Sequence, residues 1–393
     1  MNVYLDNSST TRAYKECAEL VADVMYNSFG NPSSLHRKGI EAEKIIKTAR
    51  EQFADTIKAS ANEVYFTSGG TESDNLAIIG ACRASRGKHI ISTSIEHPAV
   101  LNTLQHLEKR GYAVDLLPVS KSGIIDVSKV AKLIRKDTAL ISCMYVNNEI
   151  GSIQPVEKIA KIIKSENPST VFHIDAVQAY GKIPFSVSSV GADLISFSGH
   201  KIHGPKGVGA LYVRNKTKLS PIIFGGGQQN NIRPGTENVP GIVGIGEAAR
   251  CVFENFSEKQ ERLYELREYF VSRLEQMDGV KVNGFAHRIS DRNLHQGSAP
   301  HVISASFENI RAEVLLHALE ERGIYVSSGS ACSSNHPAIS GTLKAIGVEK
   351  KYLDATIRFS LCYDTTEEEV NGCLEVLEAL VPMLRRFTRG GRR

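Results

Sequence analysis

The order of apolar segments predicts an α/β fold, a large unit with a mainly parallel sheet between helices joined to a smaller α+β unit. Three observations carry this prediction. From about residue 40 to 255, short apolar runs alternate with stretches of helical periodicity. Several of those runs end directly on polar residues. Beyond about 255 the alternation gives way to a long charged helical stretch, isolated strands and a closing helix.

The elements follow in order. Ala42, Ile45, Ile46, Ala49, Phe53 and Ile57 recur at the spacing of one face of an amphipathic helix. The runs HIISTSI, ALISCMYV, VFHID, DLISFS and VGALYV are nearly unbroken β-branched and aliphatic stretches. They are expected as parallel strands covered on both faces. Past residue 255, SEKQERLYELREYFVSRLEQM has the pattern of a long helix, and VKVNGF, HVISASF and ATIRFSL follow. Thr365-Thr366-Glu367-Glu368 has the form of a capping box. The helix it announces carries Val370, Leu374, Leu377, Leu380, Val381 and Leu384 as its apolar stripe. The expected division is a large domain over 13–255 and a small domain built from 1–12 and 256–393.

Bulk properties exclude several classes. A chain of 393 residues can bury a large core, and a formal charge of +4 is too small to create a general field for nucleic acid or membrane. The arginines of LRRFTRGGRR at the end are most simply a solvated terminus. Seven cysteines, an odd number with no C-x-x-C pair, argue against a disulfide framework or a zinc ribbon. MNVYLDNSSTT lacks the basic-then-apolar order of a leader, and no apolar run approaches the roughly 20 residues that cross a bilayer. A cytoplasmic protein with no membrane partner and no direct nucleic-acid binding is expected.

Polar strand ends carry the chemistry. Glu96-His97, Asn147-Asn148-Glu149, Asp175 with Gln178, and Ser198-Gly199-His200-Lys201 each close an apolar run. In an open parallel sheet, ligands bind outside the carboxyl ends of the strands. Four such ends in succession therefore describe the wall of a site. Lys201 lies among glycines and histidines in SFSGHKIHGPKGVG. A solvated loop lysine is the simplest reading of that stretch alone. A Walker phosphate loop fails, because Gly204 is followed by Pro205-Lys206-Gly207. A zinc site on His200 and His203 fails for want of carboxylate or thiolate ligands at suitable spacing, so no metal is expected. A Schiff-base lysine passes these tests.

Pyridoxal phosphate is the cofactor such a lysine implies, and the strand ends supply its needs. Its phosphate suits a helix N-terminus, and FTSGGTESDNLAI offers a glycine turn through Gly70 with Thr71 opening a helix. Its ring nitrogen needs a carboxylate, for which Asp175 is the candidate. His97 would lie flat against the ring, and Gln178 would donate to its phenolic oxygen. A further feature is the run from Tyr325 to His336, YVSSGSACSSNH, which places Cys332 in an otherwise polar loop of about 327–340. Free cysteines are usually small buried hydrophobes, so one on an expected mobile loop calls for a reason.

The motifs YLDNSSTT, GNPSSLHRKG, TSGGTESDNLAI, IEHPAV, VNNEIGSIQP, HIDAVQAYGKIP, SFSGHKIHGPKGVGALYVR, RPGTENVPGIVG and SSGSACSS together resemble the NifS/IscS-type cysteine desulfurases. These are homodimers of the class V aminotransferase superfamily, with the pyridoxal phosphate fold type I and its mainly parallel seven-stranded sheet. The likeness runs from about residue 3 to 380. It implies that Lys201 carries the cofactor, with Thr71, Ser198 and His200 on its phosphate and Thr236 reaching the phosphate of the partner subunit. Asn148 and Arg358 would grip the carboxylate of L-cysteine. Lys201, His97 and Cys332 would be the catalytic set, Cys332 taking sulfur as a persulfide and passing it to an acceptor. That acceptor would be an iron–sulfur scaffold, a tRNA-thiolating enzyme or a protein of thiamine synthesis. SSNHPAISGTLKAIGV after Cys332 and the short basic tail depart from many relatives, and both bear on the acceptor. A plain aminotransferase or a selenocysteine lyase leaves Cys332 unexplained. A binding module without catalysis leaves Lys201, Asp175 and His97 unexplained.

Overall fold

In the computed structural model, the structure describes residues 2–285, 297–328 and 339–390. The chain opens with a two-residue strand, β1 (Val3–Tyr4). Eight further strands are β2 (Val64–Thr67), β3 (His89–Thr93), β4 (Ala113–Leu117), β5 (Thr138–Met144), β6 (Val171–Asp175), β7 (Leu194–Ser198), β8 (Gly209–Val213) and β9 (Val280–Val282). The last three are β10 (Val302–Phe307), β11 (Ile324–Tyr325) and β12 (Thr356–Ser360).

A seven-stranded sheet in the order β2-β8-β7-β6-β5-β3-β4 forms the centre of the larger part. The strands β7, β6, β5, β3 and β4 run parallel, as the unbroken apolar runs predict. Every residue of β3, β5, β7 and β8 is buried, so helices cover both faces of the sheet there.

VGALYV departs from expectation: β8 runs antiparallel to both β7 and β2. The connection from β7 is the reason. Residues 199–208 hold only a short 3-10 turn, Gly199–Lys201, with no crossover helix, and a parallel neighbour requires a crossover of a dozen or more residues. Two strands carry too weak a pattern to predict. The edge strand β4 is half exposed, and β2 has only four residues.

The first amphipathic helix spans Arg37–Thr56, and Ala42, Ile46, Ala49 and Phe53 on it are buried, with Ile57 just beyond its end. The long charged helix is Phe256–Glu275. It packs beside the three-stranded antiparallel sheet β12-β10-β9. The closing helix is Glu367–Gly390, with Val370, Leu374, Leu377, Leu380 and Val381 buried and Leu384 partly so. Its capping box lies one residue later than the sequence pattern suggests. The Thr366 N–H donates to the Glu369 carboxylate at 3.0 Å and the Glu369 N–H donates to Thr366 Oγ1 at 3.2 Å. Thr365 is instead buried, its hydroxyl accepting from the Cys362 N–H. β1 pairs in parallel with β11, and a bridge from Asp6 to Ser360 brings the amino-terminal segment to β12.

Candidate active site

The carboxyl ends of β3, β5, β6 and β7 open on a cavity of about 240 Å³. Gly70, Thr71, His97, Asn148, Asp175, Gln178, Ser198, His200, Lys201 and Arg358 all line it. Residues up to 288 apart in the chain thus meet: all but Arg358 stand at or after the end of a strand or a glycine turn at one edge of the seven-stranded sheet, and Arg358 reaches in from β12 of the three-stranded sheet. Thr236 stands apart. It is exposed, in the segment that leads into the helix Val239–Phe253, and is not part of this wall in its own chain. Cys332 lies outside the described residues.

Backbone packing shapes the phosphate-like end. A Cβ on Gly209 would lie 2.6 Å from Gly69 Cα, and one on Gly70 would lie 2.8 Å from Val177 Cγ2. Only glycine lets the turn after β2 press against β8 in this way. The helix Gly70–Ala84 starts at the cavity, so its first N–H groups and its dipole favour an anion there. Ser198 closes β7 beside it. His200 Nδ1 lies 3.1 Å from Thr10 Oγ1, and burial pushes the imidazole down to about 4. At neutral pH His200 therefore offers a neutral hydrogen-bonding ring.

Lys201 extends into the cavity from the 3-10 turn after β7, and its Nζ donates to the carbonyls of Ser8 and Ser9 at 2.5 and 2.7 Å. Asp175 ends β6, with one oxygen accepting from the Val177 N–H at 2.9 Å. Burial raises its carboxyl above the usual range, while neighbouring His97, the Val177 N–H and Lys201 pull it back. His97 caps the helix Pro98–Glu108, its Nδ1 accepting from the Ala99 N–H at 3.1 Å. That bond leaves Nε2 to carry the proton of the neutral ring. Gln178 is fixed from both ends. It donates to the Ser8 carbonyl at 3.0 Å and accepts from His301 Nε2 at 3.1 Å.

Arg358 is 2% exposed on β12. It donates to the Asn148 carbonyl at 2.9 Å, to Ser9 Oγ at 2.7 Å and to the Asp6 carboxylate at 2.9 Å. Sequence reasoning missed Asp6, Ser8 and Ser9. The quoted run YLDNSSTT contains them, but no periodicity or spacing in it signals that it reaches across the fold to Lys201 and Arg358. The segment bearing Cys332 leaves and rejoins the described structure at this same wall. Ser327 pairs through its backbone with Arg358, and Ser340 and Thr342 both donate to the half-buried Glu149 carboxylate, next to Asn148.

Two buried acids lie near Asp175: Asp74, which the sequence did not single out, and Glu96, expected as part of the wall but set back from the cavity. Asp74 lines the cavity at 1% exposure, and its Oδ1 lies 3.6 Å from His173 Nε2. Burial pushes His173 down to about 3, so this pair is not an ion pair at neutral pH. Glu96 is 4% exposed and accepts from Thr93 Oγ1 at 2.6 Å and from the Met144 N–H at 2.9 Å, both at Oε1. Burial pushes it up to about 8 from an ordinary 4.5. The folded state therefore holds a proton that the unfolded chain has lost. Stability falls with rising pH across that window, by about 1.4 kcal/mol per unit at most. The Glu96→Gln protein is expected to lose this component. Between pH 5 and 8, denaturant melts of Glu96→Gln should decline less steeply than those of the unaltered protein. Parallel declines would show that Glu96 is ionised when folded.

The comparisons agree with this geometry. The family described as Aminotransferase class-V matches residues 3–372. The chain belongs to that family. Among curated proteins, the cysteine desulfurase IscS of Dictyoglomus turgidum is 45% identical over 388 residues, 98% of this chain and 95% of the relative. A solved NifS-like protein is 40% identical with a TM-score of 0.90, covering 98% of this chain and all of that one. A structure described as SspA in complex with cysteine is 34% identical with a TM-score of 0.78, covering 92% and 99%. Within the class-V family the chain stands with the NifS/IscS-type cysteine desulfurases, pyridoxal phosphate enzymes of fold type I. The glycine turn and helix N-terminus at the cavity, the carboxylate of Asp175 and the amine of Lys201 fit that cofactor's phosphate, ring nitrogen and aldehyde. Among the described residues, no helix is long and apolar enough to cross a membrane.

Proposed function

We propose that this class-V enzyme converts L-cysteine to L-alanine, moving the sulfur onto Cys332 as a persulfide. One observation carries the reading most. The Cys332 segment is tied down at both described ends beside the wall that holds Lys201, Asp175 and His97: Ser327 pairs with Arg358 on that wall, and Ser340 and Thr342 bond Glu149, the neighbour of Asn148 on it. An enzyme that only moved amino groups has no need of a thiol at that place.

Pyridoxal phosphate, when bound, supplies the electron sink that makes bonds to the substrate's α-carbon labile. Lys201 would hold it, with the N–H groups of Gly70 and Thr71, together with Ser198 and His200, around its phosphate. Asp175 would face its ring nitrogen, Gln178 its phenolic oxygen and His97 the face of its ring. Arg358 and Asn148 would orient the carboxylate of L-cysteine, a task suited to the guanidinium fork. Lys201 Nζ, held by the Ser8 and Ser9 carbonyls, and His97 Nε2 are placed to hold and move protons. The thiolate of Cys332 then bonds to the substrate sulfur as the carbon–sulfur bond breaks. A proton goes to the carbon, so cysteine and thiol become alanine and persulfide with no outside oxidant.

Other thiols are poor candidates for that acceptor. Cys17, Cys82, Cys143, Cys362 and Cys373 are buried, and burial raises each of them; half-buried Cys251 is raised as well and lies away from the cavity. The purified protein with L-cysteine and a reductant should release alanine and sulfide in equal amounts. A keto acid product without sulfide would replace this reading with transamination.

The physiological acceptor we propose is an iron–sulfur scaffold or a tRNA-thiolating enzyme in the cytoplasm. The domain division at about residues 13 and 255 belongs to the same proposal, with a small domain that carries the Cys332 loop. So does a homodimer in which Thr236, exposed in its own chain, completes the partner's site. Mixing Lys201→Ala and Thr236→Ala subunits tests the shared site. In a crossed dimer one site carries both lesions and the other neither, so activity should return once subunits exchange. Proven exchange without recovery would mean each chain builds its site alone.

A further inference from the structure

The sequence argues against zinc at His203 because no thiolate or carboxylate stands near it in the chain, yet the fold brings both. A ring nitrogen of His203, Cys362 Sγ and an Asp364 carboxylate oxygen lie within 4.8 Å of one another. His203 is 1% exposed and Cys362 8%, while Asp364 is exposed on the turn after β12. We propose that these three residues form a binding site for a borderline divalent cation of the zinc class.

The imidazole is prepared for that role. Its Nδ1 lies 2.9 Å from the Arg12 carbonyl, which can only accept, so the ring proton sits on Nδ1. Its Nε2 is then left with a free lone pair, buried and without a hydrogen-bond partner among the described residues, which makes it the nitrogen available to a cation. A ring nitrogen fixed by a backbone carbonyl, with the other nitrogen free, is the usual support of a ligating histidine. Stacking on Tyr14, with ring centres 4.4 Å apart, fixes the ring plane. The turn bearing the other two ligands is also held. Arg262 donates to the carbonyls of Tyr363 and Thr365 at 2.7 and 2.9 Å, and the Tyr363 hydroxyl donates to the Gly181 carbonyl at 2.7 Å.

One imidazole, one thiolate and one carboxylate are a donor set for zinc, with the fourth position left to water. In a tetrahedral site such donors lie about 3.3–3.8 Å apart, so a small contraction, taken mainly by exposed Asp364, closes the site. Lys182 Nζ, buried and without a hydrogen-bond partner among the described residues, faces the same turn, 5.0 Å from the Tyr363 ring centre. The position is distinctive. His203 is two residues past Lys201 and Cys362 four past Arg358, so a bound cation would pin together the two segments that carry those residues.

Calorimetric titration with Zn²⁺ of the pyridoxal phosphate-loaded Cys332→Ser protein tests the site without the Cys332 thiol and without turnover. The result is therefore independent of the desulfurase reading. One Zn²⁺ per chain is expected, with affinity reduced on the order of tenfold or more in Cys362→Ser and in His203→Gln. Retained cofactor absorbance and melting temperature would show that each variant folds; if His203→Gln does not, Cys362→Ser decides. In zinc-soaked crystals, an anomalous peak beside His203 is expected. No binding, affinity unchanged in Cys362→Ser, or a peak only elsewhere would overturn the proposal.

Discussion

Turnover of L-cysteine by the Lys201→Ala protein is expected to fall by about 10³-fold or more, since one amine both anchors the cofactor and moves protons at the substrate. Borohydride reduction followed by peptide mapping should find pyridoxyl label on the Lys201 peptide of the unaltered protein and none in the variant. The geometry makes the assignment specific. Lys201 Nζ is drawn into the cavity by the carbonyls of Ser8 and Ser9, whereas Lys206 is exposed and does not line it. Label on Lys206 would remove Lys201 from its role. Loss of the amine should disturb stability little, because it takes away a cation from a half-open cavity wall and leaves two carbonyls that water can serve.

The Cys332→Ser protein is expected to separate amino-acid chemistry from sulfur chemistry. It should bind L-cysteine and change the cofactor spectrum, yet release alanine more slowly by on the order of a thousandfold, because a neutral hydroxyl is a far weaker nucleophile than a thiolate. The groups that would orient substrate, Arg358 and Asn148, and those around the cofactor are untouched by this change. A fall in turnover with substrate-induced spectra intact therefore isolates the thiol. Normal alanine and sulfide release from Cys332→Ser would mean sulfur leaves by another route.

Much of this architecture is legible before any coordinates. Unbroken apolar runs are buried strands because both faces of the sheet are covered, and the polar residues that end them meet because parallel strands bring their carboxyl ends to one edge. The direction of β8 is not written in its residues, since an all-buried strand looks the same in either sense. It follows from the missing crossover helix between Ser198 and Gly209. The capping register at Thr366 differs from that at Thr365 by which hydroxyl turns inward, a choice made by packing against Cys362.

The unforeseen parts of the site share a cause. Asp6, Ser8 and Ser9 act on Arg358 and Lys201 from the far end of the chain, 352 residues from Arg358 in the case of Asp6. His203 and Cys362 lie close together although 159 residues separate them in the chain. Local patterns carry no trace of such meetings. Glu96 is a further case, because a carboxylate after a strand looks solvated, whereas here burial raises it well above its ordinary range even against two hydrogen bonds that favour its charge.

The central claim is that the sulfur of L-cysteine moves onto Cys332. Single-turnover reaction with sulfur-labelled L-cysteine, quenched by alkylation and mapped by mass spectrometry, tests it most directly. The account predicts one alanine for each labelled persulfide, all of it on the peptide containing Cys332 and none on the other six cysteines. Alanine formed with no label at Cys332, or with label on Cys251 or a buried thiol instead, would contradict it.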